Sequence, residues 1–378
     1  MIEANETLRR RLHAMAEVSG REEKTAAFIK EFLEGHSPSE VVCGLGGHGV
    51  AAIYESGRPG PRVLVRCELD ALPIPETVSL DHGSETPGVS HKCGHDGHMT
   101  MVAALAPKLA ERPPRKGSVV LLFQPAEEIG QGAGWVIADS GYEKLAPDYV
   151  FALHNLPGFP LGQVLLRRGV FASASVGLKV KLVGATSHAA EPHRGRSPAL
   201  AVAQIIQHLS AVPQFNTALH EASKVTVIHA RLGEVAFGTS PGEAEVMATL
   251  RAHRGEVLER IKAKCLGRIQ AIAQAEELSL DYEWVEEFPS TVNHDDGVDL
   301  VEKAAEALGM EIQWRETPFP WSEDFGNYTK ETRGAFWGLG AGSKQPALHH
   351  PTYDFPDALL EKGTGLFWEV LKNTVDVE

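Results

Sequence analysis

Near its start the chain places apolar residues three and four positions apart in TLRRRLHAMAEV and again in TAAFIKEFLEG, a spacing that predicts two amphipathic helices. Ser19 and Glu22 stand ahead of the second at the spacing of a capping box. A different rhythm follows. Short apolar runs rich in β-branched residues, VLVRCEL at 63–69, VVLLF at 119–123 and YVFAL at 149–153, alternate with helical stretches such as MTMVAALAPKLAER and GAGWVIADSGY. Uninterrupted apolar strands are those buried on both faces. Their alternation with helices predicts an α/β domain built on a largely parallel sheet.

From about Ser175 the pattern becomes strict alternation: in VGLKVKLVG, Val176, Leu178, Val180 and Leu182 share one face, which predicts a half-exposed strand. Helix SPALAVAQIIQHLSAV, strands KVTVIHARLG and EAEVMATLRAH, helix GEVLERIKAKCLGRIQAIAQAEE and strand LSLDYEWVEEF complete a βαββαβ order, that of a ferredoxin-like α+β module. Signals of the first type resume at 295 with DGVDLVEKAAEALG and GAFWGLG. The expected organisation is therefore a discontinuous domain, 1–172 with 288–378, carrying an inserted domain at 173–287. No internal repeat or low-complexity tract interrupts it, and the Pro and Gly residues at 157–162 read as a turn.

Composition narrows the function. With 36 basic and 50 acidic side chains the net charge is −14, which speaks against nonspecific nucleic-acid binding. At 43% hydrophobic and 23% charged residues, the chain has enough apolar material for a folded core. No run approaches the ~18 to 20 apolar residues of a membrane span, and the first residues lack the basic head and apolar stretch of a signal peptide. A soluble, cytoplasmic protein is expected, with no nucleic-acid or membrane partner. The four cysteines, at 43, 67, 93 and 265, have no paired spacing and do not form a disulfide framework. Histidine is abundant at 17 copies, of which His82, His91, His95 and His98 crowd one segment.

That segment, HKCGHDGH at 91–98, is the densest chemical feature. In an extended loop Cys93 and His95 would project to the same side and could reach one metal ion at about 2.0 to 2.3 Å. The plainer reading is a turn with a satisfied histidine and an inert buried thiol, and the neighbouring motifs weigh against it. Glu127 and Glu128 directly follow VVLLF in QPAEE, His154 follows YVFA, and Asp70 follows VLVRCEL. Open α/β sheets bind ligands beyond the carboxyl ends of their strands, where acid and imidazole groups from three separate strands are placed here. His349 and His350 in LHHPTYDFPD read, by themselves, as loop residues.

Together ELDALP at 68–73, HKCGHDGH, QPAEE at 124–128, LHNLPG at 153–158, SHAAEPH at 187–193, SEDF at 322–325 and LHHPTYDF at 348–355 resemble the dinuclear-metal amidohydrolase and peptidase family, which includes hippurate hydrolase, indole-acetyl-amino-acid hydrolase, aminoacylase and glutamate carboxypeptidase, in its Cys-Gly-His-Asp branch. The motifs keep the family order over nearly the whole chain. The resemblance implies that Cys93, His95, Glu128, His154 and His349 hold two divalent ions, with His350 the alternative to His349. It makes Glu127 the general base, which takes a proton from water and returns it to the leaving nitrogen. Asp70 and Glu68 become supporting carboxylates, Glu68 standing where the wider family has a ligating His. Thiolate and imidazole favour zinc, and carboxylate and imidazole also suit manganese, cobalt or nickel.

In relatives, the His matching His188 reaches a catalytic site, often the partner subunit's, across a dimer formed by the inserted domain, and helps stabilise the oxyanion. A homodimer is the implied assembly. The family also holds its substrate carboxylate with an Asn and an Arg 13 residues apart; Arg251 is present in ATLR, but Gly238 occupies the Asn position. The activity implied is hydrolysis of the amide of a small N-acyl amino acid or related compound. The alternatives are an exopeptidase on short peptides, a silent relative that only binds metal or ligand, and a redox role for Cys93. Intact Glu127 speaks against the silent relative, and the lack of a nearby resolving cysteine against the redox role.

Overall fold

The computed structural model describes residues 2–377. They form two compact units: one comprises the chain up to Phe171 with Thr291–Pro318 and everything from Asp324 on, the other Ala172–Ser290 with Phe319–Glu323.

The first unit is built on an eight-stranded sheet in the order Glu40–Leu45, Gly49–Glu55, Ser118–Gln124, Arg62–Glu68, Tyr149–Pro157, Arg333–Gly342, Val164–Leu166, Ile312–Trp314. The four central strands run parallel. The antiparallel pairs are Glu40–Leu45 on Gly49–Glu55, Gly49–Glu55 on Ser118–Gln124, and Val164–Leu166 on Arg333–Gly342. The apolar runs are buried as continuous runs should be: every residue of Ser118–Gln124 is inaccessible. Val63, Val65, Leu121, Phe123, Phe151 and Trp337 share one core with Met99, Leu105 and Leu366 from the covering helices.

Two local readings change. The helix expected from MTMVAALAPKLAER starts earlier, at His95, and splits into His95–Ala103 and Leu105–Glu111. Pro107 accounts for the break, because it lacks an N–H and crowds the carbonyl four residues back. The capping box does not form. Glu22 is itself the N-cap of Glu23–Glu34 and makes no side-chain cap bond; its Oε1 accepts the N–H groups of Gly20 and Ala126, and Ser19 Oγ donates to Asp70 Oδ2. Tertiary partners have outcompeted the local motif.

The second unit is a four-stranded antiparallel sheet in the order Ser223–Leu232, Glu243–Ala252, Ala174–Val183, Ser279–Phe288. The predicted alternation is realised: Val176, Leu178, Val180 and Leu182 are buried against Ile205 and Leu209 of helix Ala199–Asn216 and Ile261 and Ile269 of helix Gly255–Ala275. The strand and helix order is that of the ferredoxin-like module. Phe319–Glu323 belongs to this unit as well: Ser173 N–H is held by the carbonyls of Phe319 and Trp321. Among the described residues, no helix is long and apolar enough to cross a membrane.

Candidate metal centre

Three strands of the first unit deliver its acidic and imidazole groups. Glu68 closes Arg62–Glu68, and Asp70 lies just beyond. After Ser118–Gln124 the chain turns through Pro125 and Ala126 to Glu127 and Glu128. His154 lies inside Tyr149–Pro157 rather than at its exit, because pairing with Arg333–Gly342, in which His154 registers with Gly338, prolongs the strand. The Cys93–His95 loop is not extended either. Gly94 has φ +94°, and His95 is the first residue of its helix, so a left-handed turn makes the two side chains converge. A Cβ at Gly94 would lie 2.7 Å from the Asn155 amide, so only glycine fits.

Cys93 Sγ lies 3.4 Å from His154 Nε2. His95 Nε2 is 3.8 Å from Glu128 Oε1 and 3.9 Å from Glu127 Oε2, and His349 Nε2 is 3.7 Å from Glu128 Oε2. The donor atoms of Cys93, His95 and His154, of Cys93, Glu128 and His349, and of His95, Glu127 and Glu128 each fall within 4.8 Å of one another. Shared members make these one continuous cluster. His350 instead pairs through Nδ1 with the Thr352 hydroxyl.

The cluster suits divalent metal. His95 Nδ1 donates to the carbonyl of Asp70 at 2.8 Å and His154 Nδ1 to that of Asn155 at 2.9 Å, which turns both Nε2 atoms toward the cluster. Nε2 of His95 is buried without a hydrogen-bond partner. Burial opposes charge on His95, but the carboxylates of Asp70, Glu68 and Glu128 outweigh it and raise its pKa to about 10. Burial, reinforced by Glu128 and Glu127, pushes the Cys93 thiol well up, while burial and the charge of His98 push His154 well down. Carboxylates gathered around inward-facing imidazole and thiol make a site that a divalent cation would stabilise.

Several groups behind the cluster escaped the sequence reading. Glu68 accepts from Arg66 and faces His98 Nδ1 at 2.7 Å. Burial opposes its charge, yet Arg66 and His98 hold its pKa well below the usual range. Arg66 reaches Asp324 at 2.6 Å, Gln124 Nε2 donates to Asp324, and His98 Nε2 lies 2.5 Å from Asn155 Oδ1. The carboxylate of Asp70 accepts the Glu128 N–H at 3.0 Å, so Asp70 serves His95 by its carbonyl and Glu128 by its side chain. On the far side Asp96 meets His13 Nδ1 at 2.8 Å and Arg9 at 3.2 Å, and His13 Nε2 meets Glu76 at 2.9 Å. A helix starting at His95 would have shown His98 on the same face. The Arg9 and His13 partners lie too far along the chain for any local pattern.

His188 and Arg251 belong to the second unit. His188 sits exposed on the two-residue strand Ser187–His188, where its Nδ1 accepts from Ala190 N–H at 3.1 Å. Arg251 donates to Ser322 Oγ at 3.1 Å and borders a cavity of about 220 Å³ with Ser223, Lys224 and His253. A Cβ at Gly238 would meet nothing within 4 Å, so crowding does not explain the missing Asn.

A cluster of thiol, imidazole and carboxylate at the ends of a parallel sheet, buried except at exposed His349 and half-buried Glu128, is the equipment of a metal-dependent hydrolase. Residues 64–373 match the model of Peptidase family M20/M25/M40, and the chain belongs to that family. It is a hydrolase. It is 30% identical over 374 residues to the N-acetyl-L-cysteine deacetylase of Bacillus subtilis (strain 168), covering 98% of this chain and 88% of that one. To the hippurate hydrolase of Campylobacter jejuni subsp. jejuni it is 29% identical, covering 96% and 94%. The solved Bacillus subtilis YXEP protein, described as a dinuclear metal binding peptidase from the M20 family, superposes with a TM-score of 0.82 at 25% identity, covering 98% and 97%.

Proposed function

We propose that this protein hydrolyses the amide bond of a small N-acyl amino acid. Cys93, His95, Glu128, His154 and His349 hold two divalent ions, zinc first, with manganese, cobalt or nickel as alternatives. The observation that carries the reading is the set of overlapping donor groups, with Glu127 placed beside Glu128. When bound, the ions polarise the amide carbonyl and acidify water. Glu127 accepts the proton of the attacking water and passes it to the departing nitrogen. Arg251, in the second unit, binds the substrate carboxylate, and His188 stabilises the developing oxyanion. The relatives named as N-acetyl-L-cysteine deacetylase and hippurate hydrolase favour acyl amino acids over peptides, while the solved relative described as a peptidase keeps short peptides as the second reading.

We also infer a cytoplasmic homodimer in which the second unit pairs with its copy. Strand Ser223–Leu232 is a sheet edge, and Val235 and Phe237 beside it are fully exposed. Sedimentation as a monomer at micromolar concentration would remove the dimer. Mixing Glu127→Gln and His188→Ala chains under subunit exchange restores activity only if His188 acts across the interface.

The decisive assay uses protein reconstituted with each metal against N-acetyl and N-benzoyl amino acids, simple amides and dipeptides. Glu127→Gln should keep its metal and lose turnover by ~10² to 10⁴. Wild-type turnover in that variant at equal metal loading sinks the base assignment, and preference for dipeptides selects the peptidase reading.

A further inference from the structure

Ala126, which precedes the two glutamates, is fully buried and has φ +53°, a left-handed conformation in which an L-residue with a Cβ is strained. The turn after it is closed by main-chain bonds from Gln131 and Gly132 to the Ala126 carbonyl and from Gly130 to that of Glu127. Its other side is held by side chains. Glu22 Oε1 accepts the Ala126 N–H at 2.8 Å, and Asp70 Oδ2 accepts the Glu128 N–H at 3.0 Å. Glu22 is itself inaccessible, and its Oε1 is fixed by Gly20 N–H at 2.9 Å. The loop that carries it is pinned in place: the Glu17 carbonyl accepts from Ala71 N–H at 2.8 Å, and Ser19 Oγ donates to Asp70 at 2.7 Å.

We infer that Glu22 is a positioning residue for the catalytic turn: by accepting the Ala126 N–H it holds that residue in its left-handed conformation and so sets where Glu127 and Glu128 point. It touches neither substrate nor metal. The inference rests on the reading of Glu127 as base and Glu128 as metal ligand.

Glycine adopts the left-handed region without strain, so Ala126→Gly should make the turn independent of its brace. In metal-loaded protein, Glu22→Leu should lower kcat at least ~10-fold with KM changed less than ~3-fold, because a small displacement of a reacting group is costly. It should also weaken metal retention against a chelator. Glu22→Asp keeps the charge but draws the oxygen back by one methylene, and should show the same losses should the Leu variant fail to fold. Glu22→Gln retains an acceptor oxygen and should recover turnover to within ~3-fold. The discriminating result is the double variant: adding Ala126→Gly to Glu22→Asp or Glu22→Leu should restore most of kcat and metal retention, which relief of a general folding defect would not do. Wild-type kcat and metal retention in Glu22→Asp and Glu22→Leu, or no recovery in either double variant, overturns the inference. Glu127→Gln assayed alongside separates the two readings. If it keeps full turnover the base assignment fails, and metal retention, which reads Glu128, still decides the role of Glu22.

Discussion

The eight-stranded unit buries Arg9, His13, Arg66, Glu68, Asp70, Lys92, Asp96 and Asp324, whereas the buried polar side chains of the four-stranded unit, among the described residues, are Ser173, Ser175, Ser240 and Glu323. Both units cover an apolar sheet with helices, so covering a sheet does not call for buried charge. Removing an ion from water costs several kcal/mol and is offset only by well-placed partners. The first unit supplies those partners in chains such as Arg66 to Glu68 to His98 and Arg9 to Asp96 to His13. Apart from Glu323, the second keeps its charge on the surface, as in Lys179 to Glu283. The comparison teaches that the charge of the first unit is gathered behind the cluster in chains where each ion depends on its partner, and that the second unit owes its stability to alternation and packing.

The largest expected effect comes from removing a cluster donor. Cys93→Ser should lose bound metal and more than ~10² in turnover while keeping its fold, since a hydroxyl is a far poorer ligand than a thiolate; metal analysis showing two ions held at native affinity would make Cys93 structural. Next, Arg66→Met leaves Glu68 and Asp324 buried without their cation, and should cost about 3 to 5 kcal/mol in denaturant unfolding of the first unit. A cost below ~1 kcal/mol would break the contrast drawn here.

His13 gives an intermediate effect with a definite pH dependence. Burial opposes its charge, but Asp96 and Glu76 raise its pKa to about 9. With a folded pKa above the unfolded value of about 6.5, its contribution is fully present below pH ~6.5 and lost as pH rises through about 9. The stability gap between wild type and His13→Gln should therefore be of order 1 to 3 kcal/mol at pH 6 and shrink by pH 10. A gap independent of pH would show that His13 acts by shape alone. Smallest of all, Lys179→Ala on the exposed face of the second unit should change stability by less than ~0.5 kcal/mol, measured by thermal melting.

What could be read from the sequence follows the same division. In the second unit periodicity is set locally, and Val176, Leu178, Val180 and Leu182 announce their face without knowledge of any partner. In the first, continuous apolar runs reveal strands but not their ends, so His154 was expected beyond a strand that in fact extends to Pro157. Motif adjacency brought Cys93, His95, Glu127 and Glu128 into view, since each belongs to a short dense segment, whereas His349 came into view only through the family resemblance. It could not show that Gly94 turns the chain left-handed, or that Glu22 forgoes a helix cap for Ala126 more than a hundred residues away. Pairings such as Arg66 with Asp324 are created only when the fold closes.

The position of Arg333–Gly342 has a consequence for biosynthesis. This strand lies in the interior of the eight-stranded sheet, against Tyr149–Pro157, yet it leaves the ribosome long after that neighbour and after all four strands of the second unit. Until it emerges, Tyr149–Pro157 presents an apolar edge with open hydrogen-bonding groups, the kind of surface that recruits chaperones or sticks to other nascent chains. The second unit's four strands, all translated by residue 288, can pair before then. Translation pauses after Tyr149–Pro157 has left the ribosome and before Arg333–Gly342 follows it should therefore aggravate aggregation more than pauses earlier in the chain.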